Sequence, residues 1–152
     1  MSVKPIPDGY HSVTPYLTVD RAREALAFYQ RAFSAIVLMQ MQDADGAIRH
    51  AEIKIGDSII MLSDEAPELG ALSPRTLGGR SSALLLYVAD VDGFVATAVA
   101  AGAILRRAVA DQFYGDRTAS IEDPFGQHWH VATHIEDVSP EEMQRRMQAL
   151  GG

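Results

Sequence analysis

The sequence predicts an α+β fold of two similar strand–helix–strand–strand–strand modules, followed by a short C-terminal helix. Three observations predict it. Apolar spacing changes from alternation to a three- and four-residue recurrence after Asp20, and helix-forming residues take over again after Asp90. Each change is followed by short strand-like runs separated by turn sequences. The turn at Gly56 has a counterpart at Gly126, about 70 residues on, as expected of a duplicated module and not of a solenoid.

Module one spans about residues 9–64. Over Tyr10–Val19, Val13, Pro15, Leu17 and Val19 fall on one face and Ser12, Thr14, Tyr16 and Thr18 on the other, as in a half-buried strand. Pro15 cannot donate to a ladder, so this strand belongs at an edge or bulges there. Asp20 suits an N-cap, and Ala22, Ala25, Leu26, Phe28, Tyr29, Ala32 and Phe33 form the apolar stripe of a helix over 21–33. Strands follow over 35–42, 47–55 and 58–63, joined by Asp43-Ala44-Asp45-Gly46 and Gly56-Asp57. A stretch with Pro67, Gly70, Pro74, Gly78 and Gly79 reads as the linker, about 65–80, or as a mobile flap.

Module two, about 81–134, repeats the order. A strand over 83–88 leads to an alanine-rich helix over 90–101 with Gly102 as its stop. Strands are expected over 104–109, 117–122 and 127–133, the last two joined by Asp123-Pro124-Phe125-Gly126. Ser139-Pro140-Glu141-Glu142 combines a cap, a first-turn proline and acids at the positive helix end, opening a helix over about 139–150.

Composition narrows the function classes. At 152 residues, with 47% hydrophobic and 22% charged residues, the chain can bury a core without staples. It has no cysteine, which excludes disulfides, thiolate metal sites and a cysteine nucleophile, and agrees with a cytoplasmic address. A net charge of −7 repels phosphate backbones, and Arg106-Arg107 and Arg145-Arg146 are isolated pairs, so no nucleic-acid partner is expected. The start of the chain, with Pro5 and Pro7, does not read as a secretory signal, and no apolar run is long enough for a membrane span. Neither a nucleophile elbow nor a phosphate-cradling glycine loop is present.

Three groups of residues carry a resemblance. They are Pro15-Tyr16-Leu17-Thr18-Val19 with Phe28-Tyr29 and Ala32-Phe33, His50-Ala51-Glu52-Ile53 with Gly56-Asp57-Ser58 and Met61-Leu62-Ser63-Asp64-Glu65, and Tyr114-Gly115-Asp116-Arg117 with Asp123-Pro124-Phe125-Gly126 and Trp129. Together they resemble the glyoxalase/bleomycin-resistance protein/dioxygenase (vicinal oxygen chelate) superfamily, in its PhnB-like branch, over nearly the whole chain. The resemblance implies modules that curl into curved mixed sheets around a small-molecule pocket, commonly in a homodimer. It also implies metal ligands on the first and last strands of each module, positions that fall here at Thr14, Ala83, Ile60 (or its neighbour Met61) and His130. A catalytic metal generally needs about three protein ligands, and of these four only His130 ligates well. No cofactor is therefore expected. A divalent metal remains open through a shifted set, His50, Glu52 and His130, since His50 and Glu52 share a strand face.

The last strand carries His128, His130 and His134 on one face. His128 and His130 stand about 7 Å apart and His134 about twice as far from His130, too far to share one ion comfortably. His130 is the candidate acid–base residue, because a neutral imidazole can donate, accept or move a proton near pH 7. His11 and Trp129 are expected to face away from it, Trp129 into the core. The expected pocket lining is Thr14, Tyr16, Ile60, Leu62, Leu85, Tyr87 and His130, with Phe113 and Tyr114 at the rim beside Asp111 and Asp116. Asp116 and Arg117 could also pair with each other or with the second module. Three functions follow: a metal-independent binder of a small, cationic or aromatic molecule, such as an antibiotic-sequestering protein; a lyase, isomerase or dioxygenase using a shifted metal or His130; or an accessory binding or regulatory protein using its dimer surface.

Overall fold

The computed structural model describes residues 2–151, which form two compact units dividing between Arg80 and Ser81. The first contains β1 (Tyr16–Val19), α1 (Ala22–Phe33), β2 (Ile36–Gln42), β3 (Ile48–Ile55) and β4 (Ser58–Asp64), in sheet order β1-β4-β3-β2. β1 runs parallel to β4, and the other neighbours are antiparallel. The second contains β5 (Leu84–Tyr87), α3 (Val91–Ala100), β6 (Ile104–Asp111), β7 (Asp116–Glu122) and β8 (His128–His134), in the matching order β5-β8-β7-β6. Here β5 is the strand parallel to β8. The C-terminal helix α4 covers Pro140–Leu150, with the Ser139 hydroxyl accepting from the Glu142 amide. Among the described residues no helix is long and apolar enough to cross a membrane.

The helix stripe read from the sequence is the face that α1 buries: Ala22, Ala25, Leu26, Phe28, Tyr29, Ala32 and Phe33. Val19, Ile53 and Leu62 are fully buried on the sheet face beneath it. The opposite face of the same sheet carries Tyr16, His50, Glu52 and Met61, because side chains alternate along each strand. This face is open, with Tyr16 half exposed.

Several expectations need correction. Residues 10–15 are not strand, and Val13 is exposed. Pro15 sits just before β1 and contributes only its carbonyl, which accepts from the Met61 amide at 2.9 Å. Proline has no amide to extend the ladder, so pairing begins one residue later, on an edge strand. Asp20 does not cap α1. The cap position is Arg21, whose side chain does not cap, and the work passes to Asp64, whose two oxygens accept from the amides of Ala22 and Ile48, both at 2.7 Å. Register explains this: Val19 pairs with Asp64, so the carboxylate stands beside the start of the helix. In the second unit Thr133 stands in the matching place, accepting from the Val91 amide and donating to the Val88 carbonyl. The 65–80 stretch is also structured, with a 3-10 turn at Pro67–Leu69 and the short helix α2 (Pro74–Leu77). The fully buried Ser73 anchors it, its amide donating to Glu65 at 2.7 Å.

The Asp123-Pro124-Phe125-Gly126 turn is locked from inside. One oxygen of the buried Asp123 carboxylate accepts from the amides of Phe125 and Gln127, and the other accepts from the Trp129 indole at 3.0 Å. Trp129 is thus a core residue, as the sequence implies, with its N–H satisfied. Asp64→Ala removes two charge-assisted bonds that join helix to sheet. It is expected to lower the unfolding free energy by about 2 kcal/mol, read as a shifted urea midpoint, whereas Asp20→Ala should cost clearly less.

Candidate functional site

On the open face of the first unit, four side chains form one hydrogen-bonded chain. The Tyr16 hydroxyl lies 2.9 Å from His50 Nδ1, and His50 Nε2 lies 3.0 Å from Glu52 Oε1. The Tyr10 hydroxyl donates to the other carboxylate oxygen. These bonds from Tyr10 and His50 hold the Glu52 carboxyl below its usual range, while the same carboxylate pushes the Tyr10 phenol up. Glu52 is buried and Tyr16 half exposed, so the chain runs from the interior to solvent. A cavity of about 400 Å³ lies alongside, lined by Tyr10, His11, Thr14, Glu52 and Met61.

The second unit builds a different arrangement on the same strand plan. Glu122, Ser120 and Asp116 of β7 stand opposite His128, His130 and His134 of β8. Each histidine finds its cross-strand partner: His128 to Glu122 at 3.3 Å, His130 Nδ1 to the Ser120 hydroxyl at 2.8 Å, and His134 to Asp116 at 2.7 Å. His134 reaches Asp137 with its other nitrogen at 2.8 Å, and Tyr87 donates to Asp116 at 3.0 Å. Around this last group lies a cavity of about 530 Å³, lined by Tyr87, Tyr114, Asp116, His134, Asp137 and Met143, among others.

Gly115 makes this cavity possible. Its φ of +101° suits only glycine, and a Cβ there would overlap the Glu136 carbonyl oxygen. Its own carbonyl accepts from the amides of Ile135 and Glu136, which fixes the segment leading to Asp137.

Of the expected lining residues, Tyr16, Leu85 and Tyr87 lie on open faces and Thr14 lines the first cavity. Tyr114 lines the second, with the Phe113 ring edge-on to it at 5.3 Å. Ile60 and Leu62 do not belong to a pocket wall: both are buried on the helix-facing side, and Met61 takes the open face. A one-residue error along a strand reverses the face, and the sequence alternatives Ile60 and Met61 differed by that one residue. Asp116 and Arg117 do not pair with each other, because they too point to opposite faces. Arg117 takes the other expected course and pairs within the second module, holding Asp92 and Asp111, both at 2.8 Å. Tyr10, Asp137 and Met143 escaped the sequence reading; the first lay in a misread strand and the others beyond the second module.

The residues do not fit a superfamily-type metal. The carried-over positions hold a hydroxyl, a thioether or alkyl group, a methyl and one imidazole. Of the shifted set, His50 and Glu52 meet each other, both Glu52 oxygens are already bonded, and His130 has Ser120 as its partner. Among the described residues no group of three His, Asp or Glu side chains could hold an ion.

His134 titrates in a way that can be checked. Asp137 first, then Asp116, raise its pKa above the ordinary 6.5. The folded state therefore keeps the proton to higher pH than the unfolded chain. That stabilisation is complete below 6.5 and is lost as pH rises through the elevated value. His134→Gln should flatten the fall in thermal midpoint as pH rises past 6.5, and proton NMR should show the wild-type imidazole titrating above that value.

Comparison with known proteins agrees with the architecture. An uncharacterized protein of Mycobacterium bovis is 36% identical over 143 residues, covering 92% of this chain and 94% of that one. The crystal structure of TioX from Micromonospora sp. ML1 superposes with a TM-score of 0.65 at 26% identity, covering 82% of this chain and 99% of that chain. A glyoxalase/bleomycin resistance protein/dioxygenase family enzyme from Burkholderia phytofirmans PsJN shares the fold with a TM-score of 0.63 at 24% identity, over 79% of this chain and 95% of its own. The family model matches residues 9–131, and the chain belongs to the Glyoxalase/Bleomycin resistance protein/Dioxygenase superfamily.

Proposed function

We propose that this protein binds a small organic cation with an aromatic body, without the aid of a metal, in the cavity of its second unit. Antibiotic sequestration is the biological form of that binding. The observation that carries the reading is the convergence of two carboxylates, Asp116 and Asp137, with two phenols, Tyr87 and Tyr114, around one space of about 530 Å³. That volume lies within the usual range for small-molecule sites.

The charge balance favours a cation. With His134 protonated between them, the two carboxylates still leave the group net negative. The chain's net charge of −7 adds a long-range attraction of the same sign. Tyr87 and Tyr114 offer aromatic faces for a positive ring or ammonium group. Met143 adapts to an irregular outline. A homodimer in the cytoplasm completes the reading, supported by the exposed apolar side chains of Ile36, Leu38 and Met41 on the edge strand β2.

Acriflavine, a planar cationic aromatic, is a suitable probe in titration calorimetry. Wild-type protein is expected to bind it at micromolar or lower concentration, and Asp116→Asn and Tyr114→Ala to weaken binding by about tenfold each. Equal binding by the wild type and both variants would remove the assignment. So would binding only at millimolar concentration.

A further inference from the structure

We propose that the open face of the first unit is an acid–base site in which the Tyr16 phenol, backed by His50 and Glu52, moves protons on small carbonyl compounds with weakly acidic C–H bonds. This goes beyond the binding reading: it uses other residues, in the other unit, for a chemical step.

The proton positions follow from the bonding. An ionised carboxylate only accepts, and Glu52 receives the Tyr10 hydroxyl on Oε2, leaving Oε1 to the imidazole. His50 Nε2, 3.0 Å from Oε1, must then carry the hydrogen. Nδ1 is left with a lone pair, and the Tyr16 hydroxyl at 2.9 Å donates into it. Carboxylate, imidazole and hydroxyl thus stand in the order that activates a hydroxyl in catalytic triads, here with a phenol at the end. The gradient of exposure has the same sense. Glu52 is 7% exposed and Tyr16 51%, so the group at the working end is the one a substrate can reach.

The step balances without a co-reactant. A C–H proton passes to the Tyr16 oxygen while the phenol's own proton passes to His50 Nδ1. The C–H electron pair moves into the adjacent carbonyl as an enolate. The imidazolium so formed is held between Tyr16 and the ionised Glu52. Return of a proton to carbon gives exchange, and delivery to oxygen gives the enol. Tyr16 is the catalytic residue, and His50 and Glu52 are positioning residues.

Substrate class follows from matching acidity and surroundings. The proton leaving carbon is balanced by one that ends on the His50 imidazole, a weak base, so the step calls for a C–H bond acidified by two flanking carbonyls. Met61 pairs with both Tyr16 and Glu52, and Met39 pairs with Glu52, so soft apolar side chains flank the polar chain. Met61, the strand partner of Tyr16, also lines the cavity of about 400 Å³ at the Glu52 end of the chain.

Proton NMR of ethyl acetoacetate in deuterium oxide, with the full chain present, reads the exchange directly. Wild-type protein is expected to accelerate loss of the methylene signal about a hundredfold over buffer. Tyr16→Phe should return it to the buffer rate, and His50→Gln should lower it and abolish its rise with pH. Nitrogen NMR of the unsubstituted protein should show His50 with its proton on Nε2. Exchange at the buffer rate with wild-type protein, undiminished exchange in Tyr16→Phe, or a proton on Nδ1 would each overturn the proposal.

Discussion

Everything in both units depends on the parallel pairing of a module's first strand with its last. Tyr16 to Val19 align with Met61 to Asp64, and Leu84 to Tyr87 with Trp129 to Ala132. Parallel neighbours cannot be joined by a tight turn, so the chain must leave, cross as a helix and come back. The helix is the element that covers one face, and its start must be tied to the paired strands. Asp64 does this with a carboxylate and Thr133 with a hydroxyl. With one face sealed, alternation leaves the other face as the place for chemistry.

On that open face the two units diverge. Aligning the paired registers puts Tyr16 in the place of Leu85, Met61 in the place of His130, and Glu52 in the place of Ser120. One unit therefore has a phenol, a thioether and a buried carboxylate where the other has an alkyl group, an imidazole and a hydroxyl. Backbone duplication has preserved the positions and not the donors. For this reason membership of the superfamily says little about mechanism by itself, and the side chains have to be argued singly.

Much of the fold was legible because it rests on local signals. The α1 stripe, the Asp123–Gly126 turn and the Ser139-Pro140 start are each contained within a dozen residues, and each appears where spacing places it. What was not legible involves partners distant in sequence. Asp64 caps a helix 42 residues away, and Tyr10 reaches Glu52 across the same separation. The cap assigned to Asp20 failed because a better-placed carboxylate arrived from β4. The face of Ile60 and Leu62 failed for a subtler reason. A strand apolar on both faces, as β4 is from Ile59 to Leu62, carries no alternation from which to read its inward side. His50 and Glu52 could be paired from sequence, since they sit two apart on one strand. The tyrosines at either end could not.

The β8 histidines show how the same residues change meaning once partners are known. Read from the sequence, His128, His130 and His134 are too widely spaced to share one ion, and His130 alone is a candidate acid–base residue. In the sheet, each stands opposite a β7 residue that accepts or shares its proton: Glu122, Ser120 and Asp116. Along a strand the spacing is too wide for one ion, whereas across strands it is right for one hydrogen bond per pair. The pairs differ in a useful way. His130 faces a neutral hydroxyl, and only His134 lies between two carboxylates, with Tyr87 on the second oxygen of Asp116. Negative charge is therefore concentrated at one end of the ladder, where α4 and the Gly115 loop supply walls. A cation entering there would meet carboxylates already fixed by the phenol and imidazole. Preorganisation of this kind favours binding, because little ordering remains to be done when the ligand arrives.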